Sequence, residues 1–141
     1  MKKVIKYLVW IVIIGFVVLQ LIPYGRDHTN PPVVSEPNWD SPRTQELAKR
    51  ACFDCHSNET VWPWYSNIAP GSWLVYHDVE TGRRFMNFSE WGTRSQRSGE
   101  IAEVVNGGYM PPSQYLLLPP EARLTAAEKQ ELVQGFANMG Q

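Results

Sequence analysis

Residues 7–19 read YLVWIVIIGFVVL, with no charged or amide side chain among them. Nothing else in the chain constrains the fold as much, because such a run cannot lie on the surface of a water-soluble domain. Widening the window to Val4 and Ile22 gives nineteen residues interrupted only by Lys6 and Gln20. A helix of about 20 mainly apolar residues crosses a bilayer core, and a lysine near its end reaches back to the interface. A buried core helix is another option, but the run is apolar on every face and lacks the polar stripe of a surface helix. A cleaved signal peptide would need a small-x-small site, which LQLIPYG does not offer. The expectation is an uncleaved signal anchor over residues 1–22, with lipid contact along residues 4–22.

Charge orients it. The chain carries 13 basic and 14 acidic residues, and Lys2, Lys3 and Lys6 all precede the span. Ten basic against 14 acidic groups remain downstream, with Arg26 offset by Asp27 just beyond the span. By the positive-inside rule the N-terminus is cytoplasmic and everything after Ile22 lies outside. A net charge of -1 with no basic stripe gives no support to nucleic-acid binding.

Residues 23–40, PYGRDHTNPPVVSEPNWD, hold four prolines and no apolar periodicity, so an extended, Pro-rich linker is expected, with His28 solvated on it. The folded part is then residues 41–141. Ser41-Pro42 reads as a cap and first helical position, opening a helix through TQELAKRACFDCH with Leu47, Ala51 and Cys55 at helical spacing. Residues 58–71 read as a structured loop. Residues 72–81 form a short helix that Gly82 stops, and residues 98–106 form another. The last helix opens on a capping box of Thr125 and Glu128, with Leu132, Val133 and Phe136 on its packing face. No segment alternates with a period of two. The fold class is all-α with long loops, preceded by one N-terminal transmembrane helix.

The chemistry centres on Cys52-Phe53-Asp54-Cys55-His56. CxxCH is the attachment pattern for c-type haem: on one helical turn two thiols can each take a vinyl group, and the next side chain projects toward the iron. Three other readings compete. A thioredoxin-like dithiol belongs near a βαβ pattern that is missing here. A structural zinc site would want four ligands and usually a second cysteine pair. A plain disulfide would leave the histidine unexplained. The haem reading also fits a domain outside the cytoplasm. His56 becomes the proximal iron ligand. Met110, in GGYMPP, is the candidate for the sixth position, since a thioether suits haem iron and raises its reduction potential, while Pro111 and Pro112 stiffen its backbone. Met110 could instead fill a core gap, and His77 and Met86 are rival ligands. Trp62, Trp64, Tyr65 and Trp73 could line a haem or serve as ordinary core. Arg83, Arg84, Arg94 and Arg97 are available to pair with propionates.

ACFDCHSNET, WPWYSNIAPGSWLV, NFSEW and YMPPSQY together resemble the bacterial haem-binding domain family (Haem_bd), a cytochrome-c-like group, over about residues 40–138. The resemblance implies a small α-helical domain with one covalent haem c. It maps the thioethers onto Cys52 and Cys55, the proximal ligand onto His56 and the methionine ligand onto Met110. It also implies that the first and last helices of the domain cross, bringing Leu47 against Leu132 and Phe136. Taken together, the residues and the resemblance lead to an electron carrier rather than an enzyme. It would be a single-pass protein of the bacterial cytoplasmic membrane, its haem domain periplasmic, serving redox partner proteins at that membrane. The alternative is a haem-based sensor or ligand-binding module in which Met110 is displaced. A haem peroxidase using His77 and a thiol-disulfide oxidoreductase using Cys52 and Cys55 rank below both.

Overall fold

A computed structural model describes residues 1–93, 100–117 and 120–139. The apolar run is a single helix, α1 (Lys2–Gln20), whose 19 residues leave no side chain buried in the protein. At 1.5 Å per residue it is about 28 Å long, close to the roughly 30 Å of a bilayer core. It is long and apolar enough to span a membrane.

The following helices begin where local chemistry satisfies their free N–H groups. Ser41 is extended and its hydroxyl accepts from the Thr44 N–H at 3.1 Å, opening α2 (Pro42–Ala51) with proline where no donor is needed. The helix expected to continue through the CxxCH motif is instead interrupted at Cys52, whose φ of -124° and ψ of -34° leave the helical range. It resumes as α3 (Phe53–His56), and the Cys52 carbonyl accepts from both the Cys55 and His56 N–H groups. α4 (Gly71–Phe85) runs past the stop expected at Gly82. α5 (Ile101–Asn106) covers part of the expected 98–106 helix, whose first residues lie outside the described ones. α6 (Ala126–Met139) opens on the capping box as expected: the Thr125 N–H donates to Glu128 Oε2 at 2.9 Å and the Glu128 N–H to Thr125 Oγ1 at 3.2 Å. Among the described residues there is no strand, only an isolated parallel bridge between Ser35 and Glu90. The fold is all-α.

The chain divides into two compact units. The first is Met1–Thr29 with Trp62–Asp78. It joins α1 to a 3-10 turn at Trp64–Asn67 and to the first turns of α4. The Gln20 side-chain amide makes two bonds to one residue, donating to the Ala69 carbonyl at 2.9 Å and accepting from the Ala69 N–H at 3.0 Å. Gly25 has a φ of +77° and presses on the Ser72 carbonyl so closely that a Cβ would collide with it. His28 is not simply solvated: its Nε2 donates to the Ser66 carbonyl at 3.1 Å and its ring stacks on Trp62 at 4.5 Å.

The second unit is Asn30–Val61 with Val79–Gln141. Its core is Leu47, Ala48, Phe53, Phe88, Ile101, Val105, Leu132 and Phe136. α2 packs on α6, and Leu47 shares one core with Leu132 and Phe136, in line with what the resemblance implied. At the centre is Phe88, fully buried, with Phe53, Trp91 and Phe136 stacked around it at 5.2, 5.7 and 5.9 Å and Trp39 tilted on it at 5.4 Å. Residues 30–40 have no helix but are bonded to this body. Val34 N–H donates to the Ser89 carbonyl at 2.8 Å, Trp91 N–H to the Ser35 carbonyl at 3.0 Å, and Asn58 Nδ2 to the Pro32 carbonyl at 3.0 Å.

Candidate functional site

The CxxCH turn is held from two sides within the second unit. Gly82 of α4 lies against it: a Cβ there would collide with the Cys55 carbonyl and stand 3.1 Å from Cys55 Cβ. The glycine read from sequence as a helix stop is a mid-helix contact point that lets α4 approach the motif. One turn later the Met86 carbonyl accepts a hydrogen bond from His56 Nδ1 at 3.1 Å. A carbonyl can only accept, so Nδ1 carries the proton and Nε2 keeps its lone pair. Burial holds the imidazole below its ordinary pKa, keeping it neutral at pH 7. A neutral imidazole with its proton held on Nδ1 is the form that ligates a metal through Nε2, and a backbone carbonyl is a usual outer partner for it. Met86, a rival ligand on sequence, holds the site through its backbone while its side chain packs on the core.

Cys52 and Cys55 are not joined in a disulfide. Burial, with Cys55 nearby, pushes the Cys52 thiol up to about 12, so it remains protonated. A thiol-disulfide catalyst depends on the opposite shift, a thiolate stabilised near neutral pH. Among the described residues no three His, Cys, Asp or Glu side chains group to hold a bare metal ion.

Asp54, between the cysteines, is the other anchor. Its Oδ1 accepts from the Val61 N–H at 3.1 Å, its carbonyl from Thr60 Oγ1 at 2.7 Å, and its Oδ2 from the Tyr115 hydroxyl at 2.8 Å. Burial and the Asp54 carboxylate raise the Tyr115 phenol above its ordinary value, and both cysteines are close enough to add to that. Tyr115, five residues beyond Met110, therefore brings the end of the PPSQY segment onto the CxxCH turn. Met110 itself follows α5, its N–H on the Val104 carbonyl at 3.2 Å and its surface 37% exposed.

Arg83, offered from sequence as a propionate partner, is buried and committed internally. Its Nε donates to the Ser57 carbonyl at 2.8 Å, and one Nη to Asn30 Oδ1 at 2.8 Å and Thr60 Oγ1 at 3.0 Å. Arg84 is exposed over the Phe85 ring, and Arg94 and Arg97 lie outside the described residues. The aromatic core is built by Trp39, Phe53, Phe88, Trp91 and Phe136. Trp62, Trp64, Tyr65 and Trp73 belong to the first unit, as does His77, which is exposed.

The family model of the haem-binding domain matches residues 14–138. The chain belongs to the haem-binding domain family. The match begins inside α1, well before the residues that carried the resemblance, so the family domain includes the last turns of that helix. No curated protein and no solved structure matches this haem-binding domain protein. The donor set fits the group that the family binds: two thiols not joined in a disulfide and a neutral imidazole with its proton fixed on Nδ1 stand on α3 and its N-cap residue Cys52.

Proposed function

We propose that the protein is a membrane-anchored, monohaem c-type cytochrome that carries single electrons outside the cytoplasmic membrane. Cys52 and Cys55 would hold one haem through thioethers, and His56 Nε2 and Met110 would ligate its iron. When bound, the haem supplies one-electron chemistry between ferrous and ferric iron. The chain's residues hold that chemistry steady. Met86 fixes the His56 tautomer, Gly82 lets α4 close on the turn, and Asp54 ties the turn to Tyr115 and so to the segment bearing Met110. The His56–Met86 bond carries this reading, because it leaves an imidazole lone pair directed by the backbone and not by a solvent-dependent contact.

Absorption spectra of the detergent-purified protein, made in a host with c-type maturation, test it. Low-spin bands indifferent to carbon monoxide, with a sulfur-to-ferric charge-transfer band, are expected. Met110→Ala should abolish that band, lower the reduction potential and admit carbon monoxide. An unchanged spectrum and potential in that variant would remove Met110 from the iron. The exposure of Met110 favours a second reading, a ligand-binding module in which a diatomic gas displaces the sulfur. That reading predicts full conversion of the wild-type ferrous spectrum by carbon monoxide.

A further inference from the structure

Gln20 is the last residue of α1, and both polar ends of its side-chain amide are taken by the backbone of Ala69. If α1 spans the bilayer from Lys2, its length of about 28 Å puts Gln20 at the outer boundary of a core about 30 Å thick. The segment bonded to Gln20 is then at that boundary too. Three features on the first unit give it the chemistry of an interface rather than of a water-facing loop. Trp64 and Ile68, just before Ala69, are 76% and 38% exposed. Leu74, on the first turns of α4, is 53% exposed. Tyr24, four residues beyond Gln20, is half-exposed and meets the Tyr76 ring edge-on at 5.4 Å. Amphipathic tryptophan and tyrosine collect at the headgroup level of membranes, and clustered exposed apolar side chains mark a surface that something covers.

We infer that the first unit is a lipid-facing platform, with Trp64, Ile68, Leu74 and Tyr24 seated in the headgroup region of the leaflet that α1 exits. The occupant is the bilayer itself, because the segment that carries these side chains is bonded to Gln20, the last residue of the helix that enters it. The segment is braced for this. Gly25 closes against Ser72, and His28 holds Ser66 and stacks on Trp62, so residues 62–74 are fixed to the chain leaving α1 at several points. This inference rests on the reading of α1 as a membrane span.

The test uses oxidised, full-length holoprotein carrying 5-fluorotryptophan, reconstituted in phosphatidylcholine nanodiscs. Trp64→Phe and Trp10→Phe identify the two fluorine resonances, and Trp64 is exposed enough for phenylalanine to leave the fold intact. Lipids spin-labelled deep in the chain should broaden the Trp10 resonance. Lipids labelled near the headgroup should broaden Trp64 several-fold more than a water-soluble gadolinium chelate does. A Trp10 resonance broadened by lipid, with Trp64 broadened only by the aqueous chelate, would overturn the platform and leave the anchor standing. A Trp10 resonance that no lipid label reaches would remove the anchor, and this inference with it.

Discussion

At the scale of single residues, the site depends on atoms that the motif does not contain. His56 is aimed by the carbonyl of Met86, thirty positions on, and the CxxCH turn is seated because residue 82 has no side chain. Gly82→Ala forces a methyl group onto the Cys55 carbonyl, and α4 must move away from the motif. Overpacking of this kind costs about 1–3 kcal/mol. The expected outcome is a lower thermal midpoint and a reduced fraction of chains carrying covalent haem, read from haem absorbance per protein. An unchanged midpoint and haem content would show that the contact is not needed. The CxxCH pentapeptide and the cap residues were legible in the sequence because each is a local pattern. The roles of Met86, Gly82 and Arg83 were not, because nothing in the residues around them indicates what packs on them.

At the scale of elements, the crossing of α2 and α6 combines local and long-range chemistry in one carboxylate. Glu128 completes the capping box of α6 and accepts from Arg50 at 2.7 Å and Arg43 at 3.3 Å on α2. The Thr125 N–H and Arg50 hold it down to about 2, against an ordinary 4.5. A carboxylate depressed by folding stabilises the native state fully above its ordinary pKa and loses that contribution as pH falls toward its folded one. The protein should therefore lose stability between about pH 4.5 and pH 2 as Glu128 protonates. Glu128→Gln should unfold more readily at neutral pH and show a shallower loss of stability across that window, measured by denaturant titration at each pH. A parallel pH profile in the variant would show that other carboxylates set the acid limit.

At the scale of the whole molecule, the three lysines at the N-terminus and the acid excess beyond them predict, by the positive-inside rule, that the chain beyond α1 lies outside. An enzyme reporter active only outside the cytoplasm, fused at the C-terminal end, should be active on the wild-type chain. Replacing Lys2, Lys3 and Lys6 with glutamate should remove most of that activity at equal expression. Equal activity in both would mean that features other than these lysines orient α1. Haem attachment should fall in step with the reporter, since maturation of c-type haem takes place on the outer side.

The features that the sequence determined by itself share a short range. The span of α1, the Ser41-Pro42 start, the Thr125–Glu128 box and the cysteine-histidine turn are each set by residues three or four apart or by one uninterrupted run. Such signals are read from spacing because the helix repeat turns spacing into contact. The tertiary structure decided what joins distant segments. It centred the core on Phe88, buried Arg83 as an internal strut, bonded the Pro-rich residues 30–40 to the domain body, and carried α4 past Gly82. It also set the Tyr115 hydroxyl on Asp54 across 61 positions. These outcomes depend on which surfaces meet once the chain collapses. A proline-rich stretch or a glycine has the same local preferences whether or not a partner is packed against it.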